Sequence, residues 1–368
     1  MHKFISFLRA SRKLKIAGII LSILFFLVGL PVAYVRFGCF GVVPVTPLPG
    51  EQKLMEVTRP EIRTFLTFPE WYIVYSAEEY ASALELGMPS GFSYFRATGQ
   101  FWSSYRTIYC ATKDTYPSDD GFHFALFVIG ESFSVENTVK GIYEQTIGRV
   151  AELTSWNEST QEDRFAAGVA REYGTFLHTV PWYRFPFTQK LKGLWRETDL
   201  WGPHMIRKWE RKIILSIEYG VKAVYGKLIG WGTGAAYAPE DLDIALMIEW
   251  APDSIFADSR VRKISESGAG AYTVIIPRYE EFTHIVPELA RRGVQFVRIA
   301  GNDEIFLTLH ARDGLAPAES YADIVFTMPV IGTNAIKRFG IKMSVTRLHE
   351  ALADIEARGM TLEHIYDY

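Results

Sequence analysis

Two cysteines in 368 residues, Cys39 and Cys110, are too few for a zinc ribbon or a multi-disulfide scaffold. The eight histidines show no His-Glu-x-x-His or comparable spacing, so no metal is expected, and no cofactor motif is present. Serine chemistry fails on its backbone requirement: Gly130-Glu131-Ser132-Phe133-Ser134 lacks the final glycine of a nucleophile elbow. Gly230-Trp231-Gly232-Thr233-Gly234 lacks the lysine of a phosphate loop and follows a helical pattern, so it reads as a helix stop and hinge. No dominant basic face with a reading module exists, which argues against a nucleic-acid partner. With 48% hydrophobic and 14% aromatic residues, the chain is not a disordered or low-complexity one.

What the chain does have begins at residue 16. Ile16 to Val35 carries no charge, and about twenty helical residues cross the roughly 30 Å of a bilayer core. Five Lys/Arg and no acid precede it in residues 1–15, which predicts a cytoplasmic basic tail, a transmembrane anchor at 16–35 and export of the bulk of the chain to a periplasmic or extracellular location. A cleaved signal peptide is less well matched, because the apolar core is long and Pro31 falls at the outer position of the nearest cut. A lipidated Cys39 is opposed by Arg36 and Phe37. Residues 36–60, with Pro44, Pro47 and Pro49, read as an extended spacer. For Cys39 and Cys110 two readings stand: a disulfide tying the membrane exit to the first soluble helices, or two free thiols.

Residues 61–180 read as an aromatic-rich helical region. Thirteen aromatics fall between Phe65 and Tyr109, about twice the chain's average density, enough either to line a ligand groove or to pack a small bundle. Thr67 with Glu70, and Ser76 with Glu79, fit capping boxes. Residues 181–232 hold five of the nine tryptophans and ten Lys/Arg against four acids. The expectation here is a basic amphipathic belt lying on the bilayer, with Trp182, Trp195, Trp201, Trp209, Lys190, Lys192, Arg207, Lys208, Arg211 and Lys212 as its membrane contacts. The alternative is a helix packed on the fold, or a partner surface.

Residues 241–368 show an internal duplication. Tyr272–Pro277, the helix face Phe282, Ile285, Val286 and Leu289, and Val294–Ala300 recur sixty-six residues later, through Arg292-Gly293 and Arg358-Gly359. Two β-α-β units joined by hairpin material at 304–310 and 323–328 predict a ferredoxin-like sandwich of one sheet and two helices. The fold class is therefore α+β: an N-terminal transmembrane helix, an aromatic-rich mainly helical region and a C-terminal duplicated sandwich.

The weak catalytic candidates are His310, His178, His204 and Glu70, the last a general acid only if burial against the rings raises its pKa. No motif unites them. The reading is a single-pass, membrane-anchored protein, leaning non-catalytic, whose exported part binds an apolar small molecule or an envelope partner. Two alternatives stand: a tethered enzyme acting on a lipid or other amphiphile, and an accessory subunit of a membrane-protein complex. The expected partners are thus the lipid bilayer and, beside it, a membrane protein or an apolar ligand.

Overall fold

A computed structural model describes residues 29–37, 39, 67–113, 120–232, 242–267, 270–333 and 335–366. Helices come first: α1 (Phe68–Leu86), α2 (Tyr94–Thr112), α3 (Asp120–Tyr143), a π turn (Glu144–Gly148) leading into α4 (Arg149–Thr154), α5 (Gln161–Leu177), α6 (Phe187–Glu197) and α7 (Met205–Gly232). Eight strands and two helices follow: β1 (Asp243–Glu249), β2 (Arg262–Ser267), β3 (Ala271–Pro277), α8 (Glu280–Arg291), β4 (Gln295–Ile299), β5 (Glu304–Arg312), β6 (Asp323–Pro329), β7 (Ile336–Ser344), α9 (Leu348–Ala357) and β8 (Thr361–Ile365).

The chain is α+β, as the patterning indicates, but the sandwich differs from the expected one. Two separate four-stranded antiparallel sheets form, ordered β2-β3-β1-β4 and β6-β7-β5-β8. Residues 304–310 and 323–328, expected as connecting hairpin, are the first two strands of the second sheet. Their counterparts β1 and β2 carry no sequence signal of their own. β1 is a central strand buried along most of its length, so it does not alternate, and β2 is a short polar edge strand.

The repeat extends to irregularities. β1 is bulged against β4 between Met247 and Ile248, and β5 against β8 between Thr308 and Leu309, sixty-one positions on. The edge pairs repeat this, with bulges between Lys263 and Ser265 and between Ile324 and Phe326. Leu246 faces Val274 and Ile299 across its sheet, and Leu307 faces Ile341 and Ile365. Bulges alter twist and are kept where a fold depends on them, so their coincidence supports a true duplication.

The aromatic region packs on the second sheet. Phe68 of α1 meets Phe306, Phe326 and Tyr366 with ring centroids 4.7–6.2 Å apart, and Tyr72 and Tyr75 follow it at helical spacing into the same cluster. Neither expected capping box forms: the Thr67 side chain makes no capping bond, and Ser76 and Glu79 lie inside α1. Glu79 instead faces the sheet, where Arg338 Nη2 donates to it at 3.0 Å. The apolar run Phe122 to Gly130 is helical within α3. Gly130 permits the close passage of α2 and α3, since a Cβ there would run into the rings of Phe101 and Trp102.

Of the expected span, 16–28 lies outside the described residues and 29–36 is helical. Among the described residues no helix is long and apolar enough to cross a membrane. Val35 is fully buried, in one cluster with Phe101, Tyr105, Ile108, Leu126 and Phe127. Arg106 stacks 4.9 Å from the Tyr34 ring, and a disulfide joins Cys39 to Cys110 with Cα atoms 5.2 Å apart.

Candidate functional site

The helical bundle turns charge inward. α5 begins with a capping box: Thr160 Oγ1 accepts from Asp163 N, and Asp163 Oδ2 accepts from Thr160 N at 3.0 Å. This places Glu162 and Asp163 in the first turn, facing α7. Asp163 accepts from Arg207 Nη2 at 2.7 Å, and Glu162 pairs with Lys208 at 2.8 Å. Arg207 also reaches Glu210, and Arg211 reaches Glu144, both at 2.8 Å. The π turn at 144–148 adds a residue that re-aims Glu144 toward Arg211. Arg207, Lys208, Arg211 and Lys212 are all buried, Lys212 donating to the Thr198 carbonyl at 2.9 Å.

These four residues were expected to touch lipid, and the structure corrects that expectation. Burying an ion is tolerable only when paired. Here Glu144 of the π turn, Glu152 of α4 and Glu162 and Asp163 of α5, too distant in sequence to enter a local count, supply partners beside the nearby Glu210. The rest of the belt divides. Trp201 is exposed, Trp195 is half-exposed with its Nε1 donating to Ser216, and Lys192 is exposed. Trp209 packs edge-on to Trp195, Trp182 lies against Tyr225, and Lys190 pairs with Glu172.

Further along the α3–α7 interface four charges close a square. Glu136 Oε1 lies 3.1 Å from Lys140 Nζ and 2.8 Å from Lys222 Nζ; Glu218 Oε1 lies 2.6 Å and 3.2 Å from the same two ammoniums. Burial would raise Glu136 and Glu218, but the two lysines outweigh it and hold both carboxyls below their ordinary values, so the square is ionised at neutral pH. Behind it is a cavity of about 90 Å³, walled by Ile73, Tyr80, Phe92, Phe133, Val169, Tyr173, Phe187 and Leu215. That volume takes several waters or a few methylene groups, well short of the roughly 300 Å³ of a drug-sized pocket.

Apolar side chains face outward on the same helices. Val135, Val139 and Ile142, then Ile147, Val150 and Leu153, are each at least half exposed along α3, the π turn and α4; Ile206, Ile213, Ile217, Val221, Val224 and Leu228 are so along α7. The two helices run antiparallel, since 136 pairs with 222, 140 with 218 and 144 with 211. Each outward residue 135, 139, 217 and 221 directly precedes an inward charge. In an antiparallel pair one step back turns both helices to the same side, so the apolar rows form one continuous face.

The four catalytic candidates are not brought together, and none lines the cavity. His310 lies on β5 with its Nε2 2.8 Å from Glu363, and His204 pairs with Glu158 at 3.0 Å. Glu70 is raised by burial to about 7 and makes no capping bond. His178 sits between Glu280 (3.1 Å) and Glu78 (2.7 Å), whose hydrogen bonds lift it to about 10. It therefore works as a cationic clamp between α5, α1 and α8, with no free lone pair for a base. A folded value above the unfolded 6.5 gives stability that is complete below pH 6.5 and lost as pH rises through 10. Replacing His178 by alanine is expected to flatten the fall in melting temperature between pH 6.5 and 10; an unchanged alkaline slope would refute the clamp.

Among the described residues no group of three or more His, Cys, Asp or Glu is placed to hold a metal. The chain matches no known protein family, no curated protein and no solved structure.

Proposed function

We propose that this is a membrane-attached, non-catalytic binding protein whose exported body lies against the bilayer through the shared outer face of α3, α4 and α7, where it receives an apolar ligand or an envelope partner. The observation that carries the reading is the outer face of α3, α4 and α7, where apolar rows stand exposed while the charges beside them are paired inside. In water that arrangement leaves a dozen aliphatic side chains exposed, each worth about 1 kcal/mol when half its surface is covered. The bilayer is favoured as the cover because α3 carries further exposed apolar residues in Phe124 and Val128, and because Leu30 and Tyr34, at the end of the uncharged N-terminal stretch, are exposed as well. The disulfide supports an oxidising, exported location. We read each C-terminal sheet as a ferredoxin-like unit in which a short turn replaces the first helix, serving assembly. The enzyme alternative draws less support, because the titratable candidates lie apart.

A chain starting at Gly29 retains the buried Val35 and the disulfide. It is expected to sediment with vesicles, more with anionic than with zwitterionic ones, so that removing the span frees the protein only in part. A monodisperse chain indifferent to vesicles at low salt would overturn the reading, and a stable dimer would assign the face to a second copy.

A further inference from the structure

We propose that the gap between α3 and α7 is a headgroup site for an anionic amphiphile, in which Lys140 and Lys222 hold a singly charged phosphate or carboxylate in place of Glu136; the proposal rests on the membrane reading above. Three features converge. Both ammoniums point at the same place, since each carboxylate oxygen of the square is shared between them. The lysines are held there by rings, Lys140 5.0 Å from the centre of Tyr80 and Lys222 5.2 Å from Tyr173, and their side chains are only 19% and 15% exposed.

The two acids are unlike. The Glu136 side chain is 44% exposed at the rim, whereas Glu218 is 22% exposed. Rotation of Glu136 into solvent removes one of the two negative charges and leaves two cations against Glu218. The net charge of the opened site is then +1, which a monoanion neutralises. Charge-assisted contacts to a phosphate oxygen replace those lost. The rim is apolar, formed by Val135, Val139, Ile217 and Val221, so the alkyl part of the ligand runs along the outer face while the cavity admits a few methylene groups or the displaced water.

Phosphatidylglycerol, phosphatidylcholine of the same acyl chains and inorganic phosphate are the probes, with the full chain in mild non-ionic detergent and native mass spectrometry as the readout. Phosphatidylglycerol is expected to bind at least about tenfold more tightly than phosphatidylcholine, the lower end for hydrogen bonds to charged groups. Glu136→Ala should strengthen phosphatidylglycerol binding by a similar factor, because it frees both ammoniums, an effect that a purely structural role for the square would not give. The double variant Lys140→Met, Lys222→Met should abolish the preference. Inorganic phosphate that displaces phosphatidylglycerol at millimolar concentration supports the anion site, whereas phosphate bound by itself with neither lipid retained overturns the amphiphile and assigns the site to a soluble anion. Equal retention of the two lipids, or unchanged affinity in Glu136→Ala, overturns the proposal. The two readings fail separately: if only the membrane reading is wrong, the Gly29 chain ignores vesicles while the lipid preference in detergent stands, and if only the site is wrong the reverse holds.

Discussion

Replacing Arg338 by methionine is expected to destabilise the fold by about 3–5 kcal/mol, the range for breaking a buried ion pair from one side. Arg338 is 1% exposed, on β7, where the helical half meets the second sheet. Its Nε and Nη2 donate to Glu363 at 2.7–2.9 Å, Nη2 donates also to Glu79 on α1, and the guanidinium stacks 4.9 Å from the Tyr75 ring. Burial pushes Glu363 up, but Arg338 and the adjacent His310 outweigh it and hold it at about 2. Burial lifts Glu79 to about 7, with Arg338 offsetting only part of that rise. Methionine fills the volume and leaves two desolvated carboxylates facing each other. Glu363 then rises above the unfolded 4.5 and Glu79, already above it, rises further, and a raised carboxyl contributes stability that is complete below 4.5 and lost as pH rises through the raised value. The deficit should accordingly be large at pH 8 and shrink toward pH 5, and adding Glu79→Gln with Glu363→Gln should recover part of it. Urea unfolding at several pH values measures this; a deficit constant from pH 5 to 8 would mean that packing, not charge, had been lost.

Glutamate at Val139, Ile217 and Val221 together is expected to leave folding nearly untouched, within about 0.5 kcal/mol at each position, because surface substitutions remove no buried contact. These side chains are 56–64% exposed. The same triple change should weaken vesicle binding of the Gly29 chain by about 100-fold or more. Three aliphatic side chains at about 1 kcal/mol each come to roughly 3 kcal/mol, and each 1.4 kcal/mol is tenfold. Unaltered sedimentation, with the melting temperature retained, would exclude this face as the contact surface. A lowered melting temperature would instead show that the rows are packed against something within the protein.

The amphipathic pattern of 211–228 was legible in the sequence, and its direction was not. Ile213, Ile217, Val221 and Val224 do form a stripe, but they face outward, because the inward side is decided by Glu136, Glu144, Glu162 and Asp163, tens of residues away. A local signal did exist: Val135-Glu136, Val139-Lys140, Ile217-Glu218 and Val221-Lys222 repeat an apolar residue followed by a charge at four-residue spacing, with opposite charges in complementary order on the two helices. Periodicity detects two faces on a helix without saying which is wet. In the C-terminal half the helices and the strands beside them were legible from their glycine stops, Gly293 and Gly359, both at positive φ. The number of sheets was not, because the central strands β1 and β5 are buried on both faces and do not alternate. The aromatic density did point to a packed region, but it does not tell a core from a pocket; among the described residues most of those rings are core, and of them Tyr80, Phe92 and Tyr94 reach the cavity.

For the membrane attachment proposed above, the bond between Cys39 and Cys110 decides where a pull on the N-terminus enters the body. A proline-rich stretch after an apolar segment suggests a boom, whose length sets how far the body stands off. Here Cys39 is bonded to α2, so the body is joined at that bond before the chain reaches the start of α1. Tension applied at the N-terminus enters α2 through a covalent link, with Val35 seated as a wedge beside it. On that reading the joint is a bracket, and reducing one sulfur–sulfur bond is what would convert it into a hinge.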